Sequence, residues 1–440
     1  MLNAKHTVKL NGEVGKEVYV QGFVQALRVQ SKIIFLILRD ITGTVQMVVQ
    51  NTEGNPLWEK AKVLSLESVV RVGGRVVEAI QAPGGVEIQI ESLEVLSVAA
   101  PELPIPVVAV KGGDETEAPT RFDYRWLDLR KPEKAGIFKL WTALEKGFRK
   151  YWLDNGYIQL YPPAFMNTAS ESGAEVFEVK YFDRKAYLAQ SPQFYKQMAM
   201  ASGFERVFMT GPVFRAEPSF TTRHLTEFTG WDFELAYIES HQDLMDEEEG
   251  MVISGFEAVK DFLETKFPNG NGNLVSNPTR PFPRITMLEA KKILRERGVA
   301  SPEEHDLSPE EERAICEYVK EKYNHDLVFI HEYHKSQSPF YHMRLEAGSD
   351  YARRADLLYK GLEITTIAQR EHRPDVLEKQ AKERNMDLEP LRDYISFFRY
   401  GCPPHGGGGI GPARIVMKLL DLANIREATY LPRDVKRLNP

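Results

Sequence analysis

The chain has 440 residues, 42% of them hydrophobic and 27% charged, with 56 Lys and Arg against 63 Asp and Glu and a formal net charge of -7. Such a composition builds a sizeable core under an ordinary charged surface, which excludes a disordered, a collagenous or a membrane-embedded chain; the longest strongly apolar run, Ile33 to Leu38, is far too short to cross a bilayer. The acidic balance argues at first sight against a nucleic-acid partner, and two cysteines, Cys316 and Cys402, exclude a disulfide framework or a cysteine zinc site.

The amino terminus, Met1-Leu2-Asn3-Ala4-Lys5-His6, lacks the apolar segment of a secretory signal, so a cytoplasmic protein is expected. Val18 to Val24, Ile33 to Leu38, Val45 to Val49, Val69 to Val77 and Val86 to Ile90 are short and β-branched, with turns at Thr42-Gly43, Gly73-Gly74 and Pro83-Gly84-Gly85. Five such strands predict a small β-barrel, of which the oligonucleotide/oligosaccharide-binding (OB) barrel is one candidate. Prolines at 101, 104 and 106, then Lys111-Gly112-Gly113-Asp114, read as a linker, placing a boundary near residue 107. From Ala135 the period turns helical: Ile137, Trp141, Leu144, Phe148, Tyr151 and Trp152 share one face, and Gly156 stops the helix. Tyr157 to Tyr161 reads as a strand ended by Pro162-Pro163. Residues 241–267 and 286–325 read as helical, and the remainder alternates strand and helix signals.

Four segments could carry chemistry. Val213-Phe214-Arg215-Ala216-Glu217 through Arg223-His224 reads as a long hairpin loop. Beyond it, Trp231, Phe233, Leu235 and Tyr237 alternate with Phe228, Gly230, Asp232 and Glu234, so one face is apolar and the other carries a ring, a gap and two carboxylates. With Arg215, Glu217, Arg223 and His224, that face could hold a flat base and a polyphosphate, or be a plain solvated sheet face. His405-Gly406-Gly407-Gly408-Gly409-Ile410-Gly411-Pro412-Ala413-Arg414 offers close backbone approach, proline at a helix start and an arginine in the first turn, which suits phosphate; a flexible loop is the alternative. Ser191-Pro192-Gln193-Phe194-Tyr195-Lys196 and Glu363-Ile364-Thr365-Thr366 through Arg370 each hold a cation near uncharged donors, which suits a carboxylate ligand, and Glu363 and Thr366 offer oxygens that suit magnesium. No Walker-type phosphate loop and no Gly-x-Ser-x-Gly elbow occurs. His325, His331, His334 and His342 cluster in sequence without zinc-protease spacing and read as satisfied or exposed histidines.

In this order, together with Gln190-Ser191-Pro192-Gln193 and the closing Leu431-Pro432-Arg433-Asp434, these segments resemble the class II aminoacyl-tRNA synthetases along essentially the whole chain, in particular the aspartyl type of archaea and eukaryotes. The resemblance implies an α+β fold: residues 1–107 a five-stranded OB-type barrel that binds the anticodon, 108–134 a hinge, and 135–440 a class II catalytic domain on an antiparallel sheet flanked by helices. It implies ATP, L-aspartate and tRNA(Asp) as substrates, Mg2+ as cofactor, a homodimer through the helix from Ala135, and no membrane. Arg215 would bridge the substrate carboxylate and the α-phosphate. Phe228 would stack on adenine, with Arg414 on its other face and at the γ-phosphate. Glu217, Arg223, His224, Leu225 and Gly411 complete the ATP site, and Glu363 and Thr366 would bind magnesium. Glu171 would take the ammonium of the amino acid, beside Gln193, Lys196, Thr366 and Arg370. Lys196 and Arg370 favour aspartate, because asparagine would leave a buried cation unpaired at about 2–5 kcal/mol. In the barrel, Phe35 and Gln46 match positions that stack on and read an anticodon base, with Arg28 a further candidate and barrel core the alternative for Phe35.

Three features depart from the family pattern: Ala413 stands where a Glu precedes the arginine, Ile367 where Gly or Ala lies close to the substrate, and Val29-Gln30-Ser31-Lys32 where a glycine-rich loop is usual. The expected effects are a less firmly oriented Arg414 and a narrower pocket. Pro83 matches relatives that also charge tRNA(Asn), whereas Gln25 replaces their usual histidine; the reading leans to relaxed tRNA choice. The alternatives are an asparaginyl-tRNA synthetase and a paralogue with another ligase or RNA-binding role. Residues 1–110 carry 10 basic and 11 acidic side chains, so RNA contact must use local patches and base pockets rather than bulk charge.

Overall fold

The computed structural model describes residues 4–108, 115–167, 176–218, 220–266 and 278–439. The chain divides into two compact units, residues 1–135 and 136–440.

In the first unit, strands β1 (Glu17–Val29), β2 (Ile33–Arg39), β3 (Thr44–Gln50), β4 (Val69–Glu78) and β5 (Val86–Ser97) close into a barrel in the order β1-β2-β3-β5-β4. The period-2 pattern dictates its interior: Ile34, Leu36 and Leu38 of β2 and Val45, Met47 and Val49 of β3 are at most 2% exposed. The barrel closes tightly at Gly74, where a Cβ would lie 2.0 Å from the Gln89 carbonyl oxygen. Helix α1 (Pro56–Lys62) is capped by Asn55, whose side chain accepts from the Leu57 N–H, and it packs Trp58 and Ala61 into the barrel core. Two short helices, α2 (Ala118–Asp123) and α3 (Arg125–Asp128), follow.

Helix α4 (Pro132–Asp154) runs from the first unit into the second. It buries Ile137, Leu140, Leu144, Phe148 and Trp152, and the chain turns after it at Gly156, with φ at +75°. The strand expected at Tyr157 to Tyr161 shortens to β6 (Ile158–Gln159), since Pro162 and Pro163 have no N–H to extend a ladder. Strands β7 (Phe165–Met166), β8 (Glu178–Tyr181) and β9 (Arg184–Leu188) form a small sheet before helix α5 (Gln193–Ala201). The hairpin β10 (Arg206–Phe214) and β11 (Glu227–Ala236) leads to helix α6 (His241–Lys266) and strand β12 (Arg284–Thr286).

The helix expected over 286–325 is two helices, α7 (Met287–Glu296) and α8 (Pro309–Tyr323). Gly298, at φ +73°, breaks the first, and a Ser308–Glu311 capping box starts the second. Strands β13 (Leu327–His331), β14 (Arg354–Tyr359) and β15 (Glu363–Gln369), helices α9 (Pro374–Glu383) and α10 (Arg392–Phe398), strand β16 (His405–Ile410) and helix α11 (Pro412–Leu419) complete the unit.

The main sheet has the order β12-β13-β14-β15-β16-β11-β10-β6, antiparallel except at its two ends. Its apolar face packs on α4 and α6: Trp152 stacks on Phe208 at 4.5 Å, Phe148 lies 5.1 Å from Trp231, and Met251, Val252 and Phe256 join the same core. Among the described residues, no helix is long and apolar enough to cross a membrane.

Candidate active site

Cross-strand register sorts the central strands into two faces. Phe233, Gly408 and Ile367 are paired neighbours on one; Asp232, Gly409 and Thr366, with Glu234, Gly407 and Ala368, lie on the other. On the first face Trp231, Phe233 and Leu235 are core, as alternation predicts, whereas Tyr237 falls beyond the strand end and is exposed. On the second face Asp232 and Glu234 are 6% and 0% exposed, so this is not a solvated sheet face.

Helix α5 covers that face. Lys196 Nζ donates to Asp232 Oδ2 at 2.7 Å and to the Gly408 carbonyl at 3.0 Å, and lies 3.6 Å from Glu234 Oε2. Arg370 Nε donates to Glu234 Oε1 at 3.1 Å, its Nη2 to the Gly407 carbonyl at 2.9 Å, and its Nη1 to His342 Nε2 at 2.9 Å. Burial, then the charge of Arg370, holds His342 well below its usual range, so the ring is neutral and able to accept. Beside them Gln193 Nε2 donates to Gln197 Oε1 at 2.9 Å, which also accepts from the Tyr394 hydroxyl at 2.8 Å.

This arrangement corrects one expectation. Lys196 and Arg370 are not bare cations awaiting a carboxylate, because β11 alternation brings Asp232 and Glu234 beneath them and the two pairs balance. Discrimination of aspartate from asparagine therefore cannot rest on an unpaired cation. Asp232, Glu234 and His342 join Lys196 and Arg370 in one cluster; strand alternation marks the two carboxylates, but nothing local marks the histidine.

The glycine run is a central strand, not a flexible loop. A Cβ at Gly407 would stand 2.0 Å from the Phe233 carbonyl oxygen and 2.5 Å from Glu234 Oε2. The missing side chains let β16 present carbonyls to Lys196 and Arg370. Ile367 is fully buried on the opposite face, with Gly408 beneath it, so it does not narrow the pocket.

The second end of the site is arginine-rich. The Arg215 guanidinium lies 5.6 Å from the Phe228 ring centre, and its Nη1 is 3.9 Å from Glu217 Oε1. His224 Nδ1 is 2.7 Å from the Thr221 hydroxyl. Pro412 opens α11 with Gly411 as its N-cap, as the sequence predicts, and Arg414 in the first turn donates from Nη1 to the Glu363 carbonyl at 2.9 Å and lies 3.2 Å from Glu363 Oε1. Glu363 thus orients Arg414 where Ala413, packed in the core, has no carboxylate to offer. Burial alone would raise the Glu363 carboxyl, but Arg414, Arg354, Arg215 and Arg223 outweigh it and keep it ionised.

Thr366 Oγ1 donates to Glu363 Oε1 at 3.3 Å; a carboxylate beside a hydroxyl is a hard oxygen pair that fits Mg2+, which takes few protein ligands. Arg223 pairs with Glu312 Oε2 on α8 at 2.8 Å, a partner far away in sequence. Burial pushes Glu312 up to about 7 against the pull of Arg223. Leu225 is packed in the core, and Glu171 lies outside the described residues.

On the barrel, Arg28 and Phe35 are paired neighbours, and Gln46 Nε2 donates to Glu87 Oε2 at 2.8 Å. Phe35 stands between the buried Ile34 and Leu36 and points outward, half-buried, not into the core. Gln25 Oε1 accepts from Arg39 at 3.4 Å, and Pro83 is exposed at a turn.

An aromatic ring among arginines thus lies next to two buried cations paired with carboxylates on a six-stranded antiparallel stretch of sheet. The family described as tRNA synthetases class II (D, K and N) matches residues 117–435. The chain belongs to this family. Residues 18–96 of this class II synthetase match an OB-fold nucleic acid binding domain. It is 42% identical to an aspartate–tRNA(Asp/Asn) ligase of Aeropyrum pernix over 97% of the chain and 96% of that protein. It is 39% identical to an aspartate–tRNA(Asp) ligase of Pyrococcus horikoshii over the full length of both. Among solved structures, asparaginyl-tRNA synthetase of Pyrococcus horikoshii complexed with asparaginyl-adenylate superposes over all of both chains with a TM-score of 0.92 at 34% identity.

Proposed function

We propose that the chain is an aspartate–tRNA ligase that activates L-aspartate with ATP and transfers it to tRNA. The observation that carries this reading is the identity of about 40% to aspartate–tRNA ligases along essentially the whole chain, supported by the Lys196–Asp232–Glu234–Arg370 cluster and the Arg215, Phe228 and Arg414 group.

Phe228 stacks on adenine, with Arg414 on its other face. Arg215 holds the α-phosphate and the substrate carboxylate together, and Glu217, Arg223, His224 and Gly411 line the rest of the nucleotide path, with the side chain of Leu225 packed in the core. Lys196, Arg370, Gln193 and Thr366 line the amino-acid pocket. The aspartate α-carboxylate attacks the α-phosphorus, pyrophosphate leaves, and the 3′-terminal hydroxyl of tRNA then takes the aspartyl group from the adenylate and releases AMP. No side chain acts as nucleophile; the residues position and neutralise. Mg2+ at Glu363 and Thr366 supplies further positive charge to the triphosphate when bound.

The barrel reads the anticodon through Phe35, Gln46 and Arg28, residues 108–134 act as the hinge, and two copies associate through the α4 region. Pro83 and Gln25 bear on whether tRNA(Asn) is charged along with tRNA(Asp). Pyrophosphate exchange into ATP driven by aspartate and not by asparagine, then charging of purified tRNA(Asp) and tRNA(Asn), tests the reading; no exchange with aspartate would overturn it. A second reading, asparaginyl-tRNA synthetase, draws on the internal pairing of Lys196 and Arg370, which leaves the pocket electrically balanced for a neutral side chain. It predicts exchange driven by asparagine.

A further inference from the structure

Sequence spacing gave His331 no metal-binding role, but the fold brings it beside His241, a histidine that no sequence signal singled out. His241 opens α6 and His331 ends β13; they are 4% and 8% exposed. His241 Nε2 and His331 Nδ1 are 3.3 Å apart, and His331 Nδ1 is 3.5 Å from Glu332 Oε1. One ligand atom from each of the three residues lies within 4.8 Å of the others. Two nitrogens on a tetrahedral zinc ion, each about 2.0–2.1 Å from the metal, stand about 3.3 Å from one another. The spacing of the two ring nitrogens matches one edge of such a tetrahedron, and a Glu332 oxygen lies close enough to be drawn in as a third ligand.

We propose that His241, His331 and Glu332 form a binding site for a divalent transition-metal ion of the zinc class, with solvent as the fourth ligand. Two imidazoles and one carboxylate select such an ion over Mg2+, which prefers the oxygen donors at Glu363 and Thr366. The surrounding charges are compatible. Glu289 faces both His331 and Glu332, and Asp243 faces His241. The opposing cations are engaged elsewhere: Arg284 bonds Gln242, Asp246 and Glu249, and Arg353 bonds Gln369 and the carbonyls of Glu239 and Leu345. Burial also keeps both rings neutral at pH 7, the form that ligates. Bound metal would pin the start of α6 to the end of β13.

The same spacing fits an N–H···N hydrogen bond between two neutral rings, and the test separates the two. Full-length protein stripped with EDTA is titrated with Co2+ alone, without ATP, followed by its visible d–d bands, and then with Zn2+. The expected result is one equivalent of four-coordinate Co2+ displaced by Zn2+, at least tenfold weaker binding in His331→Gln and in Glu332→Gln, and a Tm raised by Zn2+ in the parent protein only. X-ray absorption of the zinc-loaded parent should show two imidazole nitrogens, a readout that needs no variant to fold. Octahedral Co2+ spectra, zinc without imidazole neighbours, or undiminished binding in a folded His331→Gln protein would each overturn the proposal.

Discussion

Lys196 shows what a single residue does when its partners come from elsewhere in the chain. It is almost fully buried and neutralises Asp232 directly. Removing one member of a buried pair costs about 3–5 kcal/mol, because the remaining charge is stranded. Lys196→Met should therefore lower the denaturation midpoint strongly, and Lys196→Met with Asp232→Asn should recover much of it. Both variants should lose amino-acid activation, so that stability and exchange activity measured in parallel separate the two roles; equal recovery of both would contradict the placement of Lys196 in the substrate pocket. Glu312 on α8 faces Arg223. With its carboxyl at about 7, it ionises as pH rises through neutrality and then competes with the triphosphate for Arg223. The KM for ATP in pyrophosphate exchange should rise between pH 6 and 8 in the parent and stay flat in Glu312→Gln.

At the scale of elements, α6 carries a carboxyl into the core. Glu248 is fully buried, and burial, followed by the charges of Asp356 and Glu249, pushes it from an ordinary 4.5 up to about 8. Its folded-state value lies above its unfolded one, so its contribution is fully present below about pH 4.5 and is lost as pH rises through 8, at up to about 1.4 kcal/mol per pH unit. Glu248→Gln should match the parent in thermal stability near pH 4.5 and exceed it increasingly towards pH 8; parallel Tm profiles would refute a protonated Glu248. Strand β16 makes a different point. A run of four glycines reads equally as a loop or as a strand, because glycine has no strong preference of its own. Its neighbours decide: Phe233 and Glu234 on one side and Ile367 on the other leave no room for a Cβ at Gly407 or Gly408.

For the molecule as a whole, the proposed division of labour gives each unit its own readout. Stacking of a base on an aromatic ring is worth about 1–3 kcal/mol. Phe35→Ala should reduce kcat/KM for tRNA charging by roughly 5- to 150-fold, from the same stacking energy, while leaving tRNA-independent pyrophosphate exchange unchanged. A matching loss in exchange would mean that Phe35 serves the fold. The net charge, acidic in both parts of the sequence, fits this arrangement, since recognition by a ring and a few polar edges does not need a basic surface.

Local pattern was enough for the five barrel strands and their inward faces, since β-branched alternation states which side of each strand is inside, though their closure into an OB barrel came from the family resemblance. It made the order of the synthetase motifs equally legible, since Arg215, Phe228, Glu363 and Arg414 sit in distinctive local strings. It also determined the start of α11, because Pro412 is a local signal. The partners within the pocket came only from long-range packing. Lys196, Asp232, Glu234, His342 and Arg370 come from four separate stretches of chain, and an isolated lysine or arginine says nothing about what neutralises it. The same holds for Arg223 with Glu312, for Ile367 facing the core, and for His241 beside His331: local pattern fixes the face a side chain takes, but the partner across a sheet or under a helix is set by long-range packing.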